Sequence, residues 1–599
     1  MTPPTIKPLI FAIAAACSFA VHAGPAADVS TRVKVLNDLL AEQWQYQLKE
    51  SPEFATILGD LRYNDKWSDG SLAHTGQQKK DAQAFLKRFE AIDTHGFADS
   101  DKLNQELMVR QLKDGLRSLD LKLNEMPLDQ MGGAHLALAG FVSSIPFENT
   151  KEYDDYLARL HAVPKLLADV TDIARQGLRD GLMPPKYLLE KVVVQIDSIA
   201  KPAGADSSFA ESLKHFPDSV PEAERKRLHD AIVSAIDTEV RPAYRKLGEF
   251  VAKDYAPHGR TEPGLWKLPN GDAIYRFDVE QMTTTTKTPA ELHALGLTEV
   301  ARIEDEMTKI AKAQGFADLA AFRASLATNP KTHATSREDI LNRYRGYIAQ
   351  MQPELPKLFG LLPKTKVEVV QDEEFREKEA SAAEYHQGTP DGSRPGKVYI
   401  NTGDFANRST LTIESTAYHE AIPGHHMQIS IAQTLPALPP FRQQAGYTAY
   451  IEGWALYSEQ LGKDIGFYKD PLSDYGRLAD ELLRADRLVL DTGVHFKHWT
   501  RQQMVDFFHA HSSEDEPNVQ SETDRYIVSP GQALAYKVGQ LKILELRARA
   551  KKELGDKFDI RGFHDRVLDG GALPLDVLDA RVTEWIASVK DAKPAAHAP

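Results

Sequence analysis

The chain has 599 residues, 42% of them apolar and 26% charged, with 72 basic against 86 acidic side chains and a formal net charge of −14. That length exceeds the roughly 250–300 residues at which a single core stops growing. The acidic balance speaks against a nucleic-acid surface, which needs clustered Lys and Arg, and beyond residue 23 no run approaches the roughly 20 apolar residues of a membrane span.

The N-terminal segment reads as a secretory signal. Lys7 supplies the positive charge, Leu9 to Ala20 form a short apolar run, and Val21-His22-Ala23 fits a small-x-small cleavage site. The expected mature chain begins at Gly24, carries a charge of −15 once Lys7 is lost, and is periplasmic or secreted. The one cysteine, Cys17, lies inside this segment. A lipid anchor there is the less favoured reading, because Ala14-Ala15-Ala16 lacks the usual Leu three residues upstream. Without Cys17 the mature chain can form no disulfide and offers no thiolate, so a metal must be held by His, Asp or Glu.

Apolar residues at three- and four-residue spacing predict helices over Val33–Leu48, Gln78–Ile92, Lys102–Leu121, Tyr153–Ala174 and Pro221–Ala252. Pro242 is expected to kink or end the last of these near Val240. Thr288 as N-cap with Pro289 behind it predicts a helix running to about Ala313. Strand signals are few: Lys366–Val370 and Lys397–Ile400, the latter after the turn-rich stretch Thr389–Gly396. The expected fold is mainly α, a large multi-helix body with a deep cleft and one small β-sheet next to the metal-binding helix. It divides into an N-terminal helical lobe (24–282), a catalytic lobe (283–590) and a flexible tail (591–599).

No GxSxG elbow, Walker A loop or GxGxxG fingerprint is present. What stands out is Tyr418-His419-Glu420-Ala421-Ile422-Pro423-Gly424-His425-His426, which follows the HExxH zincin pattern except that Pro423 replaces the second His. On a straight helix His425 falls about 240° and 9 Å beyond His419, too far to share an ion. Pro423 removes the N–H that would bond the carbonyl of His419, and Gly424 permits unusual backbone angles. The pair can meet only if the helix breaks at Pro-Gly. Downstream, Glu452 and Glu459 are seven residues apart on one helix face. Glu452, 27 residues after His425, suits the third position of a His, His, Glu catalytic zinc site, and Glu459 suits an orienting partner for a His.

These pieces resemble the bacterial family catalogued as domain of unknown function 885, grouped with gluzincin-type metallopeptidases. The likeness rests on HEAIPGHHMQ (419–428), EGWALYSEQLG (452–462), RADRLVLDTGVHFKHWT (484–500) and RYIVSPGQALAYKVG (525–539), with weaker support from DGSRPGKVYIN (391–401) and TTTTKTPAELHALG (283–296). The resemblance implies a helical, cleft-containing fold similar to thimet oligopeptidase and angiotensin-converting enzyme. It implies Zn2+ on His419, His425 and Glu452, with Glu420 as general base. His425 rather than His426 matches the Gly-His of related HExGH motifs.

Peptide hydrolysis also needs a donor for the oxyanion. In the resembling peptidases a late Tyr or His supplies it, which makes Tyr526, Tyr536 and His495 the candidates here. Arg525 is a candidate for a bidentate bond to a substrate carboxylate, and Val398–Ile400 for backbone bonds to an extended peptide. The expectation is a zinc metallopeptidase acting on short peptides, with no nucleic-acid partner and no integral membrane segment. Its rivals are a zinc amidase on a non-peptide substrate and a non-catalytic helical binding protein with a structural metal.

Overall fold

A computed structural model describes residues 28–326, 328–372, 377, 381–392, 394–435 and 437–591. The expected signal segment, Cys17 included, and residues 592–599 of the expected tail lie outside the described residues; Lys590 and Asp591 close the helix Leu575–Asp591.

The fold is mainly α. Helices stand where the periodic stripes predicted them: Val29–Glu50, Leu72–Glu90, Asp99–Asp120 and Thr150–Asp180. Three of them begin ahead of their apolar stripe because a polar residue caps them there. Asp28, Ser71 and Asn149 accept the backbone N–H groups of Thr31, His74 and Glu152. Pro242 does not end its helix. The residues before it, Ile236–Val240, form a π turn, and α-helix resumes over Arg241–Phe250. Pro242 then falls in the first turn of the resumed stretch, where a missing N–H is tolerated. The helix Pro289–Ala313 starts as expected, with Thr288 and Glu291 forming a reciprocal capping box.

Among the described residues three strands make the sheet: β1 (Val367–Gln371), β2 (Ala383–His386) and β3 (Gly396–Ile400). β3 is central, parallel to β1 and antiparallel to β2. Val398 and Ile400 are fully buried on it. The expected use of Val398–Ile400 for strand addition is therefore corrected. Val398 already pairs with Val369 on one side and Tyr385 on the other, so its backbone groups are committed.

The largest apolar core draws on both sides of the 282/283 boundary. It joins Leu36, Leu40, Phe89 and Leu107 to Tyr418, Trp454, Leu546 and Phe563. Residues between Leu128 and Ala256 build a second core around Tyr156, Leu160, Ile196 and Ile232. The helices Pro289–Ala313, Pro471–His495 and Gln532–Leu554 are also tied by a buried ion network. Lys537, fully buried, bonds Glu481 Oε1 at 2.6 Å, Gln540 Oε1 at 2.8 Å and Glu299 Oε2 at 3.0 Å. Among the described residues no helix is long and apolar enough to cross a membrane.

Candidate metal centre

The break required at Pro-Gly is present. One helix, Ile413–Glu420, ends at Glu420, and a second, His425–Thr434, begins at His425. The Ile422–Pro423 peptide is cis. Gly424 packs against the end of the first helix so closely that a Cβ there would lie 1.9 Å from the carbonyl oxygen of His419. No other residue fits this corner. Trp454, on the helix Thr448–Asp464, donates its indole N–H to the Pro423 carbonyl at 2.8 Å, fastening the corner to the helix that carries Glu452.

The corner brings the two imidazoles together, ring centroids 4.8 Å apart and nearly perpendicular. His419 Nε2 and His425 Nε2 lie 3.6 and 3.5 Å from the same atom, Oε2 of Glu452. Two ligands at 2.0–2.2 Å from one tetrahedral ion are about 3.3–3.6 Å apart, so these spacings suit a zinc-sized ion. His419, Glu420 and His425 can hold a metal ion as well, with one ligand atom of each within 4.8 Å of the others. Both imidazoles are buried, and Glu420 and Glu452 are half-buried.

The surroundings favour positive charge. Burial works against protonating His419, but hydrogen bonds to Glu452 and Glu459 and attraction from Glu420 raise it to about 10. Burial likewise opposes ionisation of Glu452, and His419 and His425 overcome it, holding its carboxyl well below the usual range. Glu420 is pushed up by burial despite both imidazoles. Two buried imidazoles ringed by carboxylates form a donor set that a divalent cation satisfies better than a proton does.

Glu459 lies where the sequence suggested. Its Oε1 accepts the Nδ1–H of His419 at 2.7 Å, which leaves the Nε2 lone pair of His419 facing Glu452. Arg484 stands 3.9 Å from that carboxylate and bonds Asp480 at 2.7 Å, and Asp480 accepts Ser415 Oγ at 2.5 Å. This buried relay of Arg484, Asp480 and Ser415 was missed in the sequence. Its signal was the i, i+4 pair Asp480 and Arg484 on the helix Pro471–His495.

The two adjacent histidines differ in their partners. His426 Nε2 donates to the Thr365 carbonyl at 3.2 Å, and its Nδ1 accepts the Tyr385 hydroxyl of β2 at 3.1 Å. Burial pushes His426 down to about 4, so it is neutral and both of its nitrogens are engaged away from Glu452.

The three oxyanion candidates separate in the same way. His495 accepts the Leu265 N–H at Nδ1 and donates from Nε2 to the Tyr526 carbonyl, leaving it no free nitrogen. Tyr526 is fully buried; its hydroxyl donates to Glu522 at 2.5 Å and accepts from Arg487 at 3.0 Å. Tyr536 differs. Its oxygen accepts from Arg525 at 3.0 Å and from Gln532 at 3.3 Å, so its own proton is uncommitted. Arg525 lies beside it with its side chain 24% exposed.

Comparison with known proteins agrees with this architecture. The family model described as "Bacterial protein of unknown function (DUF885)" matches residues 52–582. The crystal structure of a candidate lipoprotein from Colwellia psychrerythraea is 30% identical with a TM-score of 0.89, over 93% of this chain and 99% of that one. A second candidate lipoprotein, of unknown function, from Shewanella oneidensis shares the fold at 18% identity and a TM-score of 0.68, over 93% and 99% of the two chains. A search of curated proteins finds no match.

Proposed function

The chain belongs to the DUF885 family of bacterial proteins, and from that premise we propose that it is a zinc-dependent peptidase hydrolysing short peptides. The observation that carries this reading is the single oxygen, Oε2 of Glu452, that stands 3.6 Å from His419 Nε2 and 3.5 Å from His425 Nε2. These three side chains would hold the ion, and Glu459 would fix the tautomer of His419. A divalent ion at such a site supplies a Lewis acid that polarises the scissile carbonyl and acidifies water.

Glu420 is the group this reading uses for proton transfer: it follows His419 directly and shares a cluster with His419 and His425. As a water oxygen bonds the carbonyl carbon, its proton passes to Glu420. As the C–N bond breaks, Glu420 returns that proton to the leaving amine, so one water is consumed and a carboxylic acid and an amine are released. Tyr536, with donors on its oxygen and its own O–H free, directs that proton to the developing oxyanion. Among the described residues β2 is an edge strand, bonded to His426 through Tyr385, which supports it as the strand along which an extended peptide would lie.

The test is cleavage of a di- to decapeptide library, followed by mass spectrometry, with wild type, a chelated sample and Glu420→Gln in parallel. Chelator-sensitive cleavage that disappears in the variant supports the reading. A variant retaining more than about a tenth of wild-type turnover removes Glu420 as the base, because such catalysis is worth roughly 10²-fold or more. Metal bound at about one ion per chain with no peptide cleaved moves the reading to an amidase or a binding protein.

The same proposal places the protein in the cell envelope. The N-terminal segment has the makeup of an export signal, and both structural relatives are described as candidate lipoproteins. Release by cleavage after Ala23 and anchoring through Cys17 are the two routes open to it.

A further inference from the structure

We propose that Arg525, with Arg487 behind it, anchors a carboxylate of the substrate, which makes peptides bearing a carboxylate close to the cleaved bond the preferred class. The inference rests on the peptidase reading for the bond that is cut, and on an independent feature for the anchor. That feature is an excess of guanidinium over carboxylate around Tyr536.

Two arginines there share one acid. Glu522 accepts Arg525 Nη1 at 3.2 Å through Oε1 and Arg487 Nη2 at 2.9 Å through Oε2. One positive charge is left over. Arg525 has five N–H groups, and three of them are used, on Glu522, on Gln532 Oε1 at 2.9 Å and on the Tyr536 hydroxyl at 3.0 Å. Two remain to donate, on a side chain 24% exposed. Arg487 is buried, with its guanidinium 4.5 Å from the centre of the Tyr536 ring and its Nη1 without a hydrogen-bond partner. No ligand reaches Arg487 there; it contributes its charge, strengthened by the low-dielectric surroundings. A planar guanidinium with free N–H groups and net positive charge is the standard receptor for a carboxylate.

Two paths connect this pair to the residues that would hold the metal. Along the helix Pro471–His495, Arg484 faces Glu459, the partner of His419, and Arg487 lies three residues on, a rise of about 4.5 Å. Along the helix Gln532–Leu554, Tyr536 lies three residues before Gly539, which touches Gly453, the neighbour of Glu452. The anchored carboxylate therefore belongs to the same stretch of substrate as the scissile bond, either as the C-terminus of a peptide or as an acidic side chain.

The experiment measures binding without turnover. Zinc-loaded Glu420→Gln protein is titrated calorimetrically with one peptide in four forms: free acid or C-terminal amide, each with Glu or Gln as its last residue. The expected result is at least tenfold tighter binding when the recognised carboxylate is present. Loss of that margin on amidation assigns the C-terminus, and loss on Glu-to-Gln replacement assigns the side chain. Introducing Arg525→Ala should bring the ratio of affinities near one, with Arg525→Lys intermediate because it keeps charge but loses the fork. Equal binding of all four peptides overturns the anchor, as does a ratio unchanged in Arg525→Ala, or no binding of any form. Failure of the peptidase reading is distinguishable: there the carboxylate preference survives in binding while the wild-type protein cleaves none of the four.

Discussion

Gly453 and Gly539 meet backbone to backbone where the helices Thr448–Asp464 and Gln532–Leu554 cross. A Cβ on Gly539 would lie 1.8 Å from the Ala449 carbonyl oxygen and 2.7 Å from the Gly453 Cα, and one on Gly453 would lie 2.4 Å from the Gly539 Cα. This contact sets the spacing between Glu452 on one helix and Tyr536 on the other. Gly539→Ala is expected to lower stability by about 1–3 kcal/mol through overpacking. It should also reduce turnover disproportionately by moving Tyr536 away from the metal ligands. Thermal unfolding and kcat, measured together, check this; a variant with wild-type values of both would show that the crossing tolerates separation.

The adjacent histidines should behave oppositely. His425→Ala is expected to lose the metal, read as ions per chain by elemental analysis. His426→Ala should keep it while losing about 1–3 kcal/mol of stability, since the half-buried Thr365 carbonyl is left without its donor. Glu459→Gln should retain metal but hold it roughly 10- to 100-fold more weakly against a competing chelator, because His419 loses the carboxylate that fixes its ring. Metal retained by His425→Ala and lost by His426→Ala would reverse the assignment.

Away from the candidate metal centre, burial pushes Asp491 up to about 7, although the Tyr275 hydroxyl at 2.6 Å and the Gly531 N–H at 2.9 Å favour its ionised form. The unfolded carboxyl titrates near 3.8, so between pH 4 and 7 the native state holds a proton that the unfolded state has lost. Stability from this group is full below about pH 4, falls as pH rises to 7, and then levels. Unfolding midpoints across pH 4–8 should show wild type losing stability relative to Asp491→Asn over that window. A difference between the two proteins that stays constant with pH would remove Asp491 as the source.

The N-terminus of the protein isolated from cells distinguishes its two export routes. Intact mass after cleavage at Ala23 corresponds to a chain starting at Gly24. Acylation instead leaves Cys17 as the first residue, adds the mass of its lipid and sends the protein to the detergent fraction.

The helices were legible in the sequence because each advertises its buried stripe locally, and the metal motif because Pro423 and Gly424 state where its helix must break. What stayed hidden was decided by distant partners. His426 is turned away by a carbonyl 61 residues earlier, and His495 is occupied by the N–H of Leu265, 230 residues before it. No local pattern records either bond. β2 went unread because Ala383–His386 is four residues long and half exposed. Its pairing with β3 is what removed Val398–Ile400 from the list of open edges. The excess charge at Tyr536 was equally out of reach, since it depends on Arg487 and Arg525 leaning on a shared Glu522 from two helices.

The shared core has a consequence for how the molecule comes into being. Leu36 and Leu40, near the start of the described chain, belong to the same apolar core as Phe563, Leu578 and Ile586 near its end, and Arg110 bonds Asp576 across that span. That core is complete only once the last helices have joined it, and a contact spanning 466 residues closes slowly. A core that closes late leaves apolar surface exposed for longer, which is when a large chain is most prone to aggregate.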